Sequence, residues 1–369
     1  MKKLFCIIIS CLLLFNTVFV QAVSVSAVCA VLIDADTGKI IFSKNEQTRA
    51  SMASTTKIMT ALLLCENKDL NETLEITSEM VRVEGTSMGL KAGDTVTYND
   101  LLYGMLLPSG NDAANATAIG ISGSIENFVL LMNNKAKSLG LKNTNFQTPS
   151  GLDGEQHYTT ALDLALITRE ALKNDAFAKA CSTKNITLEY GGVKHTLTNH
   201  NRLLNMNSDV VGVKTGFTKK SGRCLVSAAK RNGITLIAVT LNDKDDWNDH
   251  NAMLDYGFSV SKSKTVTFNE EKFLVPIVSG EEEYITLQSQ EISFQCNEEI
   301  NIEKKIYLEK FVYAPVTKGQ KFGYIEYILG GKVIARKELT AQNGVEIEKP
   351  PTKFQLFIKN LYFILGEVI

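Results

Sequence analysis

Residues 53–66, ASTTKIMTALLLCE, carry the strongest structural signal in the chain because a short polar motif leads directly into an apolar run. That run predicts a buried helix over residues 56–66. Ser54 and Lys57 are three positions apart at its start, which puts a hydroxyl and an amine on one helical face. Burial beside a second cation, at a positive helix N-terminus, would lower the lysine pKa from its usual ~10.4. The pair is therefore suited to act as nucleophile and base.

The sequence on both sides of this helix predicts strands. Residues 28–44 form a hairpin around the turn Asp36-Thr37-Gly38-Lys39, and residues 224–240 form a second one around Asn232-Gly233. Between the hairpins, helical spacing of apolar residues predicts further helices over residues 98–107, 113–121, 125–139 and 160–173. Strands at both ends with helices between them predict an α+β domain in which an antiparallel sheet, built from distant parts of the chain, lies beside a helical cluster.

The sequence changes in character after residue 262. Residues 263–350 contain short alternating runs, two of them joined by Gly330-Gly331, and predict a small all-β domain that ends at Pro350-Pro351. The tail, residues 351–369, places six apolar side chains on one helical face, namely Phe354, Phe357, Leu361, Ile364, Leu365 and Val368. We expect an amphipathic helix that lies on a membrane surface. A helix packed on the β domain is the alternative.

Two further motifs follow the SxxK motif in a fixed order. Ser109-Gly110-Asn111 comes directly after Pro108 in a break between helices, where it offers a hydroxyl and an amide from a loop. Lys214-Thr215-Gly216 is predicted to begin an edge strand, and its cation, hydroxyl and small residue suit an extended peptide with a carboxylate. Each motif is weak by itself, since the polar stretch 261–264 repeats the SxxK spacing. The ordered set of three is specific.

This ordered set resembles the penicillin-recognising serine enzymes, which include penicillin-binding proteins and serine β-lactamases, and most closely the low-molecular-mass D-alanyl-D-alanine carboxypeptidases. The resemblance runs over residues 28–340 through the stretches ASTTKIMT at 53–60, GDTV at 93–96, LLPSGNDAA at 106–114, HYTTA at 157–161 and LDYGF at 254–258. It implies a β-lactamase/transpeptidase-like catalytic domain over residues 28–262, followed by the all-β domain and a membrane-associating tail.

The resemblance also implies a reaction. Ser54 would be the acylated nucleophile, Lys57 its general base, and Ser109 the group that relays a proton to the leaving amine. The terminal D-alanine of a peptidoglycan pentapeptide stem would leave, and water would then release the shortened stem from the acyl-enzyme. β-Lactams would acylate the same serine as covalent inhibitors. No metal or organic cofactor is implied.

The remaining motif residues would bind the substrate. By resemblance, Asn111 holds the substrate peptide, Lys214 tunes the site electrostatically, and Thr215 binds the terminal carboxylate. Gly216 permits close approach of the strand, and the backbone N–H of Phe217 joins that of the nucleophile in an oxyanion hole.

One feature departs from the family pattern. Many members carry an arginine shortly before the Leu-x-x-Gly-Phe segment, where it helps to hold the substrate carboxylate. Residues 242–257 of this chain contain no arginine, and Asp246 or Trp247 falls near that place. The means of anchoring the carboxylate is therefore open.

The N-terminus predicts export. Lys2 and Lys3 precede an apolar run over residues 4–20, which is typical of a secretory signal peptide, here assigned to residues 1–27. Val20-Gln21-Ala22 and Val25-Ser26-Ala27 are both suitable cleavage sites, and a retained signal-anchor helix is the alternative. We expect an extracytoplasmic enzyme, peripheral on the outer face of the bacterial cytoplasmic membrane.

Composition and motif content weigh against other functions. The 39 Lys+Arg residues balance 40 Asp+Glu residues, so a nucleic-acid partner is not expected. The four histidines have no zinc-peptidase spacing such as H-E-x-x-H. Residues 143–154 have no glutamate, which a class A β-lactamase would use for deacylation. A D,D-endopeptidase that cuts cross-links, and a penicillin-binding module without efficient turnover, remain open as alternatives.

Overall fold

The computed structural model describes residues 23–350 and 352–364. Most of the predicted signal peptide, residues 1–22, and the end of the tail, residues 365–369, lie outside the described residues. The chain divides into two compact units. Among the described residues, the first unit consists of those up to Lys230 and of Thr235–Val260. The second unit consists of Arg231–Ile234 and of the residues from Ser261 onward.

The structure describes nine strands that lie wholly or almost wholly in the first unit, and five of them form one antiparallel sheet with the order β2-β1-β9-β8-β7. In chain order the strands are β1 Cys29–Asp34, β2 Ile40–Lys44, β3 Thr73–Glu75, β4 Thr95–Thr97, β5 Asn185–Tyr190, β6 Val193–Thr198, β7 Val210–Thr218, β8 Gly222–Arg231 and β9 Ile234–Asp243. β1 is buried along its whole length, and it pairs with β2 on one side and with β9 on the other. The predicted antiparallel sheet from distant parts of the chain is confirmed.

Helices surround this sheet, and the five helices within residues 57–138 and 161–171 lie where apolar spacing predicts them. In chain order they are α1 Lys57–Asn67, α2 Tyr98–Leu106, α3 Asn111–Ser122, α4 Ile125–Ser138, α5 Ala161–Ala171, α6 Asp175–Ser182, α7 Leu203–Met206 and α8 Asp246–Val260. Side chains that begin several helices also cap them: Thr97 accepts a hydrogen bond from the Asp100 amide, and Ser124 accepts one from the Asn127 amide. α1 is buried from Lys57 to Leu64, which makes it the central helix of the core.

Sequence patterning does not predict α8. Its first turn is polar, and Gly257 interrupts its apolar pattern. The glycine is explained by packing, since a Cβ at Gly257 would stand 2.5 Å from a methyl carbon of Leu32 and 2.7 Å from one of Leu236. α8 therefore lies directly against the sheet, and it brings Asp246 and Trp247 to the position discussed below.

Residues 23–27 precede β1 and belong to the packed part of the first unit. Ala27 is completely buried. The Ser26 hydroxyl donates hydrogen bonds to the carboxylates of Asp243, at 2.8 Å, and Asp249, at 2.9 Å. These contacts bear on where the predicted signal peptide would end.

The second unit is an all-β domain, as predicted. Its strands are β10 Ser263–Phe268, β11 Lys272–Val278, β12 Tyr284–Gln288, β13 Ile292–Asn297, β14 Glu303–Leu308, β15 Val312–Tyr313, β16 Lys321–Leu329 and β17 Lys332–Ala341. Six of them form a sheet in the order β14-β16-β17-β12-β11-β15, and β10 pairs with β13. Val275, Leu287, Ile325, Tyr327 and Leu339 are among the buried side chains of its own core.

A final helix, α9 Lys353–Ile364, follows the β domain. Phe354 is 71% exposed and Phe357 is 60% exposed, although both belong to the predicted apolar face. Within residues 23–350 and 352–364, no helix combines the length and the apolar character that crossing a membrane requires.

Candidate active site

Ser54 lies in a tight 3-10 turn, Ala53–Thr56, that leads into α1. Two threonines of the turn hold it closed, because Thr55 Oγ1 donates to the Met52 carbonyl at 2.6 Å and Thr56 Oγ1 donates to the Ala53 carbonyl at 2.8 Å. Both threonines are buried, whereas Ser54 is partly exposed at a cleft. The turn thus presents the Ser54 hydroxyl to solvent on a rigid support.

Lys57 is fully buried beneath this serine. Its Nζ lies 3.0 Å from Ser54 Oγ, 2.7 Å from Asn111 Oδ1 and 2.7 Å from the Ser150 carbonyl oxygen. A neutral amine has two N–H groups and one lone pair. The two shorter contacts suit the N–H groups, and the third then lets the lone pair accept the proton of the Ser54 hydroxyl.

Two buried lysines, Lys57 and Lys214, lie at the site, and their surroundings favour the neutral form of each amine. Burial, and next the positive charge of Lys214, lower the pKa of Lys57 well below its ordinary value, while Asp112 opposes the shift. Burial lowers the pKa of Lys214 to about 7. The Nζ of Lys214 donates to the Thr215 carbonyl at 2.9 Å. These surroundings therefore favour the unprotonated Lys57 amine that a base beside Ser54 requires.

The second motif spans the break between α2 and α3, as predicted. Ser109 has a positive φ of 65°, and its buried Oγ has no hydrogen-bond partner among the described residues. Asn111 begins α3, and its Nδ2 donates to the Glu84 carbonyl at 2.6 Å while its Oδ1 accepts from Lys57. Because the amide is bound on both sides, it links Lys57 to the loop that contains Glu84.

The third motif lies in β7, the edge strand of the sheet. We predicted that Lys214 begins this strand, but the strand begins at Val210, because Val210 already pairs with Ala229 on β8. Gly216 is close to the nucleophile: a Cβ at this position would stand 3.1 Å from the backbone nitrogen of Ser54. Phe217, the next residue, is 66% exposed.

These motifs line one cleft of about 460 Å³. Of the predicted site residues, it brings together Ser54, Ser109, Asn111, Thr215, Gly216 and Phe217. Lys57 and Lys214 lie buried next to it and reach it through their contacts. Arg202 and Arg223, which sequence reasoning missed, also line the cleft. Arg202 reaches the cleft from the start of α7 and Arg223 reaches it from β8. Neither residue belongs to one of the three motifs.

Two buried groups support the site from behind. The Asp112 carboxylate accepts hydrogen bonds from the Ser87 hydroxyl at 2.5 Å and from the Met88 amide at 2.9 Å, which fixes the loop between β3 and β4. His157 accepts from the Gln147 amide at 2.9 Å through Nδ1, and its Nε2 lies 2.8 Å from Thr56 Oγ1. Burial lowers the pKa of His157 to about 4. A neutral His157 therefore bonds to the turn that carries the nucleophile.

In the part of the chain that the structure describes, no group of three or more His, Cys, Asp or Glu residues is arranged to hold a metal ion. His250, for example, lies between Ser227 and Thr240, with contacts of 2.5 Å and 2.9 Å. His157 and His250 thus serve as buried hydrogen-bonding groups, whereas His195 stacks on the Tyr190 ring.

A serine hydroxyl beside a buried lysine amine, next to an edge strand that can hold an extended peptide, defines a serine peptidase of the acyl-enzyme type. The chain belongs to the D-alanyl-D-alanine carboxypeptidase family, whose model matches residues 16–245. A second model, the C-terminal domain of penicillin-binding protein 5, matches residues 250–347. The two matches correspond to the catalytic α+β domain and the all-β domain.

Individual relatives agree with this family. The chain is 35% identical over 332 residues to a D-alanyl-D-alanine carboxypeptidase of Bacillus subtilis, covering 86% of this chain and 85% of the relative. It is 34% identical to one of Escherichia coli, covering 89% and 86%. The crystal structure of the Streptomyces K15 DD-transpeptidase matches with a TM-score of 0.62 at 34% identity, covering 64% of this chain and 98% of that one. Penicillin-binding protein 5 of Haemophilus influenzae matches with a TM-score of 0.61 at 29% identity, covering 88% and 99%.

Proposed function

We propose that the enzyme is a serine-type D-Ala-D-Ala carboxypeptidase that removes the terminal D-alanine from peptidoglycan pentapeptide stems through an acyl-enzyme on Ser54. The single observation that carries this proposal is the contact of 3.0 Å between the buried Lys57 Nζ and Ser54 Oγ. It joins a nucleophile to a base whose pKa is lowered by burial and by Lys214.

The first step forms the ester. Lys57 takes the proton from the Ser54 hydroxyl as Oγ attacks the carbonyl carbon between the two D-alanines. Negative charge collects on the carbonyl oxygen, where the backbone N–H groups of Ser54 and Phe217 would stabilise it. The position of Gly216 against the Ser54 nitrogen supports this assignment, because it brings the two stretches of backbone together.

The second step breaks the amide. The leaving nitrogen needs a proton, and we assign its delivery to Ser109, which could receive the proton that Lys57 holds. The Ser109 Oγ is buried and has no partner among the described residues, so it is available for this task. D-Alanine then departs as the free amine, and water later hydrolyses the ester by the reverse use of the same base.

Substrate binding uses the cleft and the edge strand. We assign the peptide backbone to β7 and to Asn111, and the terminal carboxylate to Thr215, with Lys214 setting the electrostatics. β-Lactams would acylate Ser54 by the same first step, which opens their ring. The leaving nitrogen then stays tethered to the acyl group.

We infer the following division of the chain: signal peptide, catalytic domain from the signal to residue 262, β-rich domain over residues 263–350, and tail over residues 351–369.

The signal peptide assigned to residues 1–27 is better ended at Ala22. Ser26 hydrogen bonds to Asp243 and Asp249, Ala27 is completely buried in the catalytic unit, and cleavage after Ala27 would remove both residues. Export would place the enzyme outside the cytoplasm.

The tail helix is assigned to a membrane surface. Exposed Phe354 and Phe357 support this assignment over packing on the β domain, since packing would cover them. Binding of the full chain, but not of a chain ending at residue 350, to anionic phospholipid vesicles would test it. Equal binding by both would contradict it.

The activity is tested by mass spectrometry of the full chain, purified in detergent, after incubation with benzylpenicillin and separately with diacetyl-Lys-D-Ala-D-Ala. We expect a penicilloyl adduct on Ser54, together with free D-alanine from the peptide. An adduct without D-alanine release would favour the D,D-endopeptidase or the module without turnover, and a cross-linked muropeptide substrate would separate these two. The absence of any adduct would exclude Ser54 as nucleophile.

A further inference from the structure

Arg223 occupies a defined position on the wall of the cleft that holds Ser54 and Thr215. It pairs with Phe217 across β7 and β8, so its side chain leaves the sheet on the same face as that of Phe217. Its Nη2 donates to the buried Asp246 carboxylate at 2.8 Å, and its guanidinium carbon lies 5.6 Å from the centre of the Trp247 ring. The first turn of α8 thus holds the Arg223 guanidinium in place.

The site needs a permanent positive charge if it is to bind a carboxylate across the pH range. The two buried lysines do not provide one, because burial lowers the pKa of both and that of Lys214 to about 7. An arginine keeps its charge and offers five N–H donors in a planar fork. Its bond to Asp246 uses one donor, and the side chain remains 44% exposed toward the cleft.

Two arginines line the cleft, and the structure favours one of them. Arg223 is oriented by a carboxylate and an aromatic ring, so little conformational freedom is lost when it binds a ligand. Arg202, at the start of α7, is held by no such pair of side-chain contacts in the described part of the molecule. Arg223 also lies on the strand next to β7, where the substrate is assigned.

We propose that Arg223, oriented by Asp246 and Trp247, is the cation that binds the terminal carboxylate of the peptide substrate, together with the Thr215 hydroxyl. The proposal rests on the proposed carboxypeptidase function and deepens it. It explains how the chain anchors a carboxylate although residues 242–257 contain no arginine. The position near which that arginine is expected holds Asp246, which instead fixes an arginine from β8.

The test compares diacetyl-Lys-D-Ala-D-Ala with the same peptide carrying a C-terminal amide. For Arg223→Gln we expect kcat/KM on the free acid to fall ~10- to 100-fold, mainly through KM, because a charge-assisted hydrogen-bond pair is lost. On the amide we expect a change within about twofold, so that the preference for the free acid disappears. Arg223→Lys keeps the charge but loses the fork, and should retain part of the preference.

Arg336→Gln is the matched control. Arg336 has the same kind of surroundings in the other unit, with Nη2 2.6 Å from Glu326 and its guanidinium carbon 4.2 Å from the centre of the Tyr324 ring. Its removal should leave both substrates unaffected. Thermal melting of all variants identifies a general loss of folding, and Arg223→Lys serves as the test if Arg223→Gln fails to fold.

Each outcome decides the proposal. An unchanged preference for the free acid in Arg223→Gln would overturn it, as would loss of that preference in Arg202→Gln alone. A wild-type chain that releases no D-alanine and takes up no penicillin would instead refute the proposed function, and with it the role of Arg223.

Discussion

Gly216 stands against the backbone nitrogen of Ser54, leaving 3.1 Å between that nitrogen and the place a Cβ at residue 216 would take. The same Cβ would stand 3.2 Å from the Cβ of Ala53. We therefore expect Gly216→Ala to push β7 away from the nucleophile turn by a few tenths of an ångström. Acylation by a fluorescent penicillin should slow ~100-fold, the effect of losing one oxyanion donor, while the melting temperature changes little. Unimpaired acylation would show that the strand does not form the oxyanion hole.

The rate of acylation should rise with pH as Lys57 loses its proton. Lys214 lowers the Lys57 pKa, so removing its charge in Lys214→Gln should move the acidic limb of the pH-rate profile to higher pH. Lys137→Gln removes an exposed lysine of α4 and should leave the limb where it is. A limb that does not move in Lys214→Gln would mean that the two amines are not coupled.

Lys214→Met should stabilise the protein while impairing it as an enzyme. The pKa of Lys214 is about 7 in the folded state and ~10.4 in the unfolded state, so the unfolded state binds more protons between these values. Stability lost through Lys214 is therefore greatest at and below pH 7 and is recovered as the pH rises toward 10. We expect a melting temperature several degrees higher than wild type at pH 6, and a smaller gain at pH 9.

Ser109→Ala should separate the chemical role of this hydroxyl from any structural role. Its Oγ is buried with no partner in residues 23–350 or 352–364, so its removal should not lower the melting temperature. D-Alanine release should fall ~100-fold or more, as for the loss of a proton-transfer group. Thr117→Ala is the matched control, because Thr117 Oγ1 is equally buried and unpartnered but lies in the core of α3. Equal activity losses in both variants would refute the assignment.

Acid should destabilise the catalytic unit through its buried histidines. Burial lowers the pKa of His250 to about 3 and that of His157 to about 4, whereas both titrate near ~6.5 in the unfolded chain. The unfolded state thus gains protons first, and stability falls as the pH drops from 6.5 toward these folded values. Urea titrations at pH 7 and pH 5 should show a difference on the order of 2 kcal/mol per histidine. In His250→Gln the difference between the two pH values should be smaller by the contribution of one histidine.

Local signals explain what the sequence could predict. α1 follows from an unbroken apolar run, and the hairpin of β8 and β9 follows from Asn232-Gly233, whose φ values of 50° and 76° fit the turn that this pair favours. The three motifs were recognisable because each is contiguous. Gly191-Gly192 between β5 and β6 carries a similar hairpin signal.

The remainder depends on tertiary contacts that no local pattern encodes. α8 begins with polar residues, and only its packing on Leu32 and Leu236 explains Gly257. The ion pair between Arg223 and Asp246 joins β8 to α8, which are separated in the chain by β9. The depth of burial of Lys57 and Lys214, which sets their pKa values, likewise depends on how the helices close over the sheet.

The sheet order has a consequence for timing. β1 is the second strand from one edge, and Val31 pairs with Ser43 on one side and with Val239 on the other. A chain made from its N-terminus therefore holds Ser54 long before β9 arrives to complete the pairing of β1 and β7 arrives to flank the nucleophile. Such long-range pairing forms late in folding. Penicillin labelling of this enzyme should accordingly mark only molecules in which residues 23–243 have assembled, which makes the antibiotic a reporter of completed folding as well as of activity.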